Sequence, residues 1–182
     1  MRPLAILTLI GFAVFLAGCS TPVKSEYKPG VNFSQYKTFA LQPFEAQAPA
    51  EDPGLMMRVS EPARQTVASE LTAKGLNPEA QDKADLAINL RGQSFPRVEV
   101  KNYGYSYPVM TRAGMVTVVE NPYSTVSTYN ERTLLIEMLD TKTKEAVWIG
   151  WLKKESSKKV TPEAMEKAVR AILAQYPPQP KK

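Results

Sequence analysis

The sequence predicts a domain of the α+β class, in which a largely antiparallel sheet has two helices packed on one face. Three observations predict this class. Two stretches place apolar residues at helical spacing, several others are apolar on alternate or successive residues, and their order along the chain is strand, helix, strands, helix. That order fits helices that cover one face of a sheet made mostly of neighbouring strands.

Strands are predicted wherever apolar residues alternate or follow one another. The second half of residues 33–41 predicts the first strand, and residues 45–54, which contain alanine, proline and acids, indicate a loop. Residues 85–90 alternate, so one face of this strand should be buried. Residues 133–139 and 146–152 are apolar on successive positions, which predicts that both of their faces are covered. We expect this last pair at the centre of the sheet.

Two helices are predicted from their caps and apolar stripes. The first covers residues 60–74, because Ser60 can cap it and Pro62 is tolerated in a first turn, where backbone N–H groups lack partners. A glycine directly after it is a natural stop. The second begins with Thr161 as cap and Pro162 at its first position, and a proline pair ends it. The predicted buried stripes are Ala63, Val67 and Leu71 in the first helix and Met165, Ala168, Val169, Ile172 and Tyr176 in the second.

Residues 92–130 have a weaker pattern. Residues 115–119 indicate one short strand, while Pro96, Pro108 and Pro122 argue against central strands, because proline cannot donate to a ladder. We therefore predict irregular hairpins at a sheet edge for this region.

The N-terminal residues have the three-part layout of a secretory signal. Arg2 supplies a positive start, the run from Leu4 to Leu16 is almost wholly apolar, and a small-residue pair precedes Cys19. At about 13 residues the run is shorter than the about 20 that a membrane-spanning helix needs. The sequence thus predicts a cleaved signal rather than a membrane span.

The segment Leu16-Ala17-Gly18-Cys19 also resembles the lipobox of bacterial lipoproteins. In that class an acyl chain such as palmitate is held through the cysteine, and the signal is cut just before it. The resemblance implies a lipid on Cys19 and, because Ser20 rather than an aspartate follows, an outer-membrane destination. The expected organisation is a signal peptide over 1–18, a lipidated tether over 19–29, one α+β domain over 30–178 and a basic tail over 179–182.

Composition excludes several chemistries. The chain has no histidine and a single cysteine, Cys19, so Ser-His and Cys-His nucleophiles and Cys/His zinc sites are excluded. We expect no metal and no cofactor beyond the covalent lipid. The net charge is +5, with the basic excess in residues 141–182. These lysines could attract anionic lipid or only keep the surface solvated, and the compartment disfavours nucleic acid.

Four segments, in order, resemble an uncharacterised family of Gram-negative lipoproteins, catalogued as domain of unknown function 4136. They are NFSQYKTFAL (32–41), LTAKGLNPEAQDKADLAINL (71–90), TLLIEMLDTKTKEAVWIGW (133–151) and AVRAILAQYPP (168–178). The resemblance implies the lipoprotein fold and location and carries no established activity. Two positions depart from the family pattern: Arg132 stands where a glycine is usual, and Ile149 where an arginine often follows the tryptophan.

The tyrosine-rich region is the best candidate binding surface. Tyrosine supplies a large contact area with little rotamer entropy to lose, and tyrosine with arginine is common at interface hot spots. The same tyrosines could instead cover the sheet edge as ordinary packing. The predicted surface consists of Tyr103, Tyr105, Tyr107, Tyr123, Tyr129, Arg97, Arg112 and Arg132.

The sequence indicates a binding protein rather than an enzyme. Asp140, between two strands, is interpreted as a turn residue, and no spacing in the chain brings two carboxylates together for glycoside hydrolysis. We expect a non-enzymatic lipoprotein, held at the outer membrane facing the periplasm, that binds another envelope component, first of all a protein. A small-ligand or glycan binder, for instance of peptidoglycan fragments, would need a concave pocket lined by the tyrosines. A hydrolase would need two carboxylates in one cleft.

Overall fold

The computed structural model describes residues 23–46 and 52–178, and its architecture is α+β, as predicted. A seven-stranded sheet and two α-helices make up this described part. The helices are α1 (Leu55–Ala73) and α2 (Pro162–Leu173), and the strands are β1 (Val23–Tyr27), β2 (Thr38–Leu41), β3 (Glu45–Ala46), β4 (Asn77–Pro78), β5 (Leu86–Thr111), β6 (Gly114–Asp140) and β7 (Ala146–Ser156). The predicted signal peptide 1–18, Cys19 and the basic tail 179–182 lie outside the described residues.

The sheet is mixed rather than largely antiparallel throughout. Its strand order is β1-β7-β6-β5-β2-β4, and β3 also pairs with β5. The long strands β5, β6 and β7 and the edge strand β1 are antiparallel, whereas the short strands β2, β3 and β4 pair in parallel. The predicted arrangement therefore holds for the long strands, and β6 and β7 lie inside the sheet, as expected.

Residues 23–27, which we expected in the lipidated tether, form the edge strand β1. This strand pairs antiparallel with β7 along its whole length. Val23 and Tyr27 pack against the core, while Lys24 and Glu26 are exposed. The charged outer face resembles a linker in sequence, which is why the prediction was wrong. The folded domain therefore includes residues 23–29, which the prediction had placed in the tether.

The core lies between the two helices and one face of the sheet. Leu86, Ile88 and Leu90 of β5 and Ile136 and Met138 of β6 are fully buried on that face. The predicted helix stripes pack against them in a single buried cluster. The opposite face of β6 and β7 is only half-buried, so the prediction that both faces of these strands are covered is wrong. Both helices lie on the core face and leave the other face open.

Helix α1 begins at Leu55, five residues before the predicted start at Ser60. Pro62 therefore lies inside the helix, where it removes one N–H group from the hydrogen-bond ladder. Leu55 and Val59 are buried and extend the apolar stripe toward the N-terminus, which offsets that loss. Gly75 follows the helix with a φ of +90°, as expected of a glycine stop.

Helix α2 begins as predicted. Thr161 caps it, because its Oγ1 atom accepts the N–H of Ala164 at 3.2 Å, and Pro162 occupies the first position. Neither described helix is both long and apolar enough to cross a membrane.

Residues 92–130 do not form irregular hairpins at a sheet edge, as we predicted. They continue β5 and β6 as one long hairpin, and residues 115–119 are part of β6. Pro96 and Pro108 are tolerated because β5 has no strand on its outer side at these positions, so a missing N–H breaks no ladder there.

Candidate binding surface on a projecting arm

The outer part of the β5–β6 hairpin is a two-stranded ribbon. Strand β7 accompanies β6 only as far as Asn130, and β3 accompanies β5 only as far as Gly92. Residues 97–129, which we call the arm, therefore pair only with each other. At about 3.3 Å per residue each strand of the arm is up to about 45 Å long. No residue of the buried core cluster lies in the arm, so it stands outside the packed domain.

The arm concentrates the exposed apolar side chains. Among the described residues, twelve large hydrophobic side chains are exposed, and ten of them lie on the arm. These ten are Val98, Val100, Tyr103, Tyr105, Tyr107, Met110, Met115, Val116, Tyr123 and Val126. An isolated two-stranded ribbon is only marginally stable in water, and a contiguous exposed apolar surface is typical of an interaction site.

Four of the predicted tyrosines share one side of the arm. Tyr103, Tyr105 and Tyr107 alternate along β5, so their side chains point the same way, and Tyr123 lies opposite Tyr103. The rings of Tyr103 and Tyr123 stack, with centroids 5.1 Å apart and planes at 15°. Tyr105 is 78% exposed and Tyr123 is 61% exposed. We call these four residues the tyrosine face.

The other predicted residues are separated from the tyrosine face. Arg112 lies in the turn at the far end of the arm, and Arg97 lies opposite Tyr129 at its base. Glu131 bonds Lys153 at 2.8 Å and Arg97 at 3.4 Å. These hydrogen bonds lower the pKa of the Glu131 carboxyl, with Lys153 the larger cause. The eight predicted residues therefore do not form one continuous surface.

Arg132 lies below the arm, between the sheet and the helices. Its Nη1 atom donates to the carbonyl oxygens of Lys158 at 2.8 Å and of Ser156 at 3.4 Å, and Ser94 lies directly opposite it on β5. Arg132 and Ser94 line a cavity of about 140 Å³ between the sheet and the N-terminal ends of α1 and α2. Sequence analysis missed this cavity, because its walls come from segments far apart in the chain. Among its lining residues, the sequence had singled out Arg132 as a candidate binding residue and Lys154, Lys158 and Lys159 as part of the basic excess in residues 141–182.

Two aspartates tie together the end of the sheet that is remote from the arm. Asp140 accepts the N–H groups of Lys142 at 2.8 Å and Thr143 at 3.0 Å through one oxygen, which confirms its predicted turn role. Asp85 accepts two N–H groups at the start of β2, at 2.8 and 3.1 Å. Backbone hydrogen bonds are the largest cause of the lowered pKa of each carboxyl.

No cluster of three or more His, Cys, Asp or Glu in residues 23–46 and 52–178 is placed to hold a metal ion.

The chain is similar in structure to a number of solved proteins, including the following three. One is a PDZ domain protein from Parabacteroides distasonis ATCC 8503, with 18% identity, a TM-score of 0.51, and coverage of 88% of this chain and 36% of that one. Another is a DUF4136 family protein from Bacteroides thetaiotaomicron VPI-5482, with 18% identity and a TM-score of 0.50. The match covers 86% of this chain and 95% of that one. The third is a PelC dodecamer from Paraburkholderia phytofirmans, with 13% identity and a TM-score of 0.46. The match covers 84% of this chain and 94% of that one.

The first two likenesses show the fold alone, and this chain spans about a third of the PDZ domain protein. No curated protein matches the chain. The family described as Domain of unknown function (DUF4136) matches residues 23–178, which include β1 and the whole of the described sheet. The match confirms the resemblance found in the four sequence segments, and the chain therefore belongs to the DUF4136 family.

Proposed function

We propose that this protein is a membrane-anchored envelope lipoprotein whose arm binds another protein of the envelope. The observation that carries the proposal is the tyrosine face, which stands exposed on a ribbon that pairs only with itself. The proposed role is non-enzymatic, and binding by side-chain contact requires no metal and no cofactor beyond the lipid.

The composition of the arm favours a protein partner over insertion into the bilayer. Apolar and charged side chains alternate over residues 97–101 of the arm, where Lys101 and Glu99 form an ion pair of 3.4 Å. Insertion into hydrocarbon would desolvate these charges, whereas a protein interface accommodates aromatic contacts beside a charged rim. Tyr105, the most exposed of the tyrosine face, is a natural anchor for such an interface.

The same geometry favours a protein over a glycan. A glycan binder was expected to line a concave pocket with the tyrosines. Two cavities lie at the base of the arm, and Tyr129 alone among the tyrosines lines one of them. The tyrosine face is an open surface instead, which suits the flat contact area of a protein interface.

The proposed anchor is the lipid on Cys19. Only residues 20–22 separate Cys19 from β1, and such a segment reaches at most about 14 Å when extended. Strand β1 starts at Val23, opposite Leu152, at the end of the sheet from which the arm projects. Lipidation would therefore hold the base of the arm close to the membrane, and the proposed location is the periplasmic face of the outer membrane.

Photo-crosslinking in the producing cell tests the proposed partner. A benzophenone amino acid replaces Tyr105, and a matched control places it at Gln81, an exposed residue remote from the arm. We expect a discrete, protease-sensitive adduct from position 105 and none from position 81. Adducts with lipid or glycan alone, or equal adducts at both positions, would contradict the proposal.

Alanine variants test whether the tyrosine face binds or only packs. The pair Tyr103→Ala and Tyr105→Ala, without the crosslinker, should reduce co-purification of the partner that the crosslink identifies at least tenfold while the melting temperature stays nearly unchanged. Ser106→Ala, exposed on the opposite side of the arm, is the matched control. Equal loss of binding and of melting temperature would favour packing.

Fractionation tests the anchor. Cys19→Ser should release the processed protein from the membrane fraction, because the acyl chains supply the proposed attachment. A variant that stays in the membrane fraction after signal cleavage would overturn the anchor.

A further inference from the structure

The cavity below the arm has an apolar interior. It lies where the first turns of α1 and α2 meet the sheet, and its volume is about 140 Å³. Apolar walls come from both helices and from the sheet, and they include Leu55, Val59, Leu134, Leu152 and Met165. An engineered cavity of about 150 Å³ with such walls binds benzene, so this one accommodates a comparable number of carbon atoms.

The mouth of the cavity is basic. Arg132, Lys154, Lys158 and Lys159 line it, and none of its described lining residues is acidic. No ion pair joins these four cations to a carboxylate within the described part of the chain. Four unpaired cations around an apolar hole are complementary to a ligand that carries an anionic head and an apolar tail.

Two buried polar atoms in the wall lack a partner. The Oγ atom of Ser94 and the Nε atom of Arg132 are buried and make no hydrogen bond. These residues face each other across β5 and β6, and both line the cavity. A buried donor without an acceptor costs free energy, and a charged acceptor satisfies a guanidinium best. The side chains of Ser94 and Arg132 therefore mark the polar part of the cavity wall, beside which the head of a ligand would bind.

A second cavity of about 470 Å³ continues the first at the base of the arm. The two share Leu55, Arg132, Lys159 and Val160, so Arg132 stands at their junction. The second cavity is also lined by Asp52, whose carboxylate is paired with Arg58 at 2.6 Å. Together the two cavities provide more room than a short apolar chain needs, within the range of ligand sites. Leu152, which lines the first cavity, pairs with Val23 at the start of β1.

We propose that this cavity binds a single-chain amphiphile with an anionic head. The head bonds Arg132 and Ser94 at the junction, the lysines surround it, and the apolar tail lies between the first turns of the helices and the sheet. The site is distinct from the tyrosine face and does not depend on the proposed protein partner. The proposed anchor on Cys19 would hold the cavity mouth close to a source of such lipids.

Calorimetric titration of the processed chain carrying Cys19→Ser tests the site, because that chain lacks both the predicted signal peptide and the lipid and should need no detergent. We expect decanoate and decyl phosphate to bind, decanol to bind at least tenfold more weakly, and acetate not to bind. Methyl resonances of Ala164 and Ala168 should shift with decanoate, while that of Ala73, exposed at the other end of α1, should not. Binding of decanoate but not decyl phosphate would restrict the class to carboxylates, and the reverse would restrict it to phosphates. Absence of both, or equal affinity for decanol, would overturn the proposal.

Variants localise the binding. Arg132→Gln should weaken decanoate about tenfold and leave decanol unchanged, whereas Arg112→Gln, in the turn of the arm, should change neither. Ala168→Phe should fill the cavity and abolish binding of decanoate. If Ala168→Phe lowers the melting temperature, Ala164→Phe, at an exposed lining position, replaces it. The assigned site would be refuted if decanoate binds with unchanged affinity to Arg132→Gln and to a folded variant with phenylalanine at position 168 or 164. This conclusion holds whether or not the arm binds a protein.

Discussion

The hydroxyl group of Tyr36 donates a hydrogen bond of 3.0 Å to the Oδ2 atom of Asp140, which lies 104 residues further along the chain. This bond joins the segment before β2 to the turn between β6 and β7. The N–H groups of Thr143 and Lys142 occupy the other oxygen of the carboxylate. The bond from Thr143 is the largest cause of the lowered pKa of Asp140, and those from Lys142 and Tyr36 add to it. The carboxylate is thus held ionised in the folded chain.

We expect the protein to lose stability in acid and Asp140→Asn to reduce that loss. Because the pKa of Asp140 is lower folded than unfolded, its charge stabilises the fold above the unfolded pKa of about 3.9. This stabilisation disappears as the pH falls through the folded pKa. The variant should lose about 1–2 kcal/mol at neutral pH and show a shallower fall of melting temperature below about pH 5. If the melting temperatures of the variant and the parent fall in parallel with pH, Asp140 does not have this role. Asp82→Asn, at an exposed site, is the control.

The loss of stability at alkaline pH depends on Tyr176. Its buried ring packs edge-on against Phe33 and Trp148, with centroid distances of 5.8 and 5.5 Å. Burial, with a smaller contribution from Tyr36, raises the pKa of Tyr176 to about 12. An unfolded tyrosine ionises near pH 10, so between about pH 10 and 12 only the unfolded chain releases this proton, and stability falls as the pH rises.

Tyr176→Phe keeps the ring and removes the proton. The variant should therefore retain more of its melting temperature than the parent between about pH 10 and 12, and match it closely near pH 8. Tyr105→Phe, on the exposed tyrosine face, should follow the parent. If Tyr176→Phe also follows the parent throughout, ionisation of Tyr176 does not limit alkaline stability.

Gly150 of β7 allows α2 to approach the sheet closely. A Cβ atom at this position would stand 2.7 Å from Cγ2 of Ile172 and closer still to the ring of Trp148. Both neighbours are fully buried and cannot move freely. Gly150→Ala should therefore destabilise the fold by about 1–3 kcal/mol, measured by urea unfolding. Gly92→Ala is the matched control, because its Cβ would meet Ala46 at 3.1 Å on the short edge strand β3, which can yield. An equal cost at both positions would show that close packing on α2 is not the cause.

The elements that the sequence predicted correctly carry their signals locally. Thr161 and Pro162 predict the start of α2, apolar alternation predicts the start of β5, and Asp140 predicts the turn that follows β6. Each of these structures depends on residues that are close together in the sequence. The start of α1 was misplaced because Ser60 followed by Pro62 resembles a cap and first turn, although burial of Leu55 extends the helix.

The arm and the cavity could not be predicted, for a different physical reason. Both sides of the arm are exposed, so no buried alternation distinguishes its strands from loops. The stacking of Tyr103 on Tyr123 depends on the register of a hairpin between them. The cavity depends on tertiary packing, since Leu55, Ser94 and Met165 meet there from distant parts of the chain.

The domain should fold without the arm. Replacing residues 96–130 by Asn-Gly, a dipeptide that favours two-residue hairpin turns, would close the hairpin at the facing pair Phe95 and Glu131. The buried core cluster lies wholly outside the deleted segment. We therefore expect a cooperative thermal transition within about 4 °C of the parent, corresponding to a change of about 1 kcal/mol.

The shortened chain also separates the two proposed sites. It lacks the tyrosine face and the arm residues that line the second cavity, but it keeps every described residue that lines the first. It should therefore lose the protein partner and still bind decanoate. Circular dichroism and core methyl resonances check the fold, calorimetry checks the cavity, and co-purification checks the partner. A shortened chain that melts without cooperativity would show that the arm is part of the folding unit. One that folds and still captures the partner would place the protein interface elsewhere on the domain.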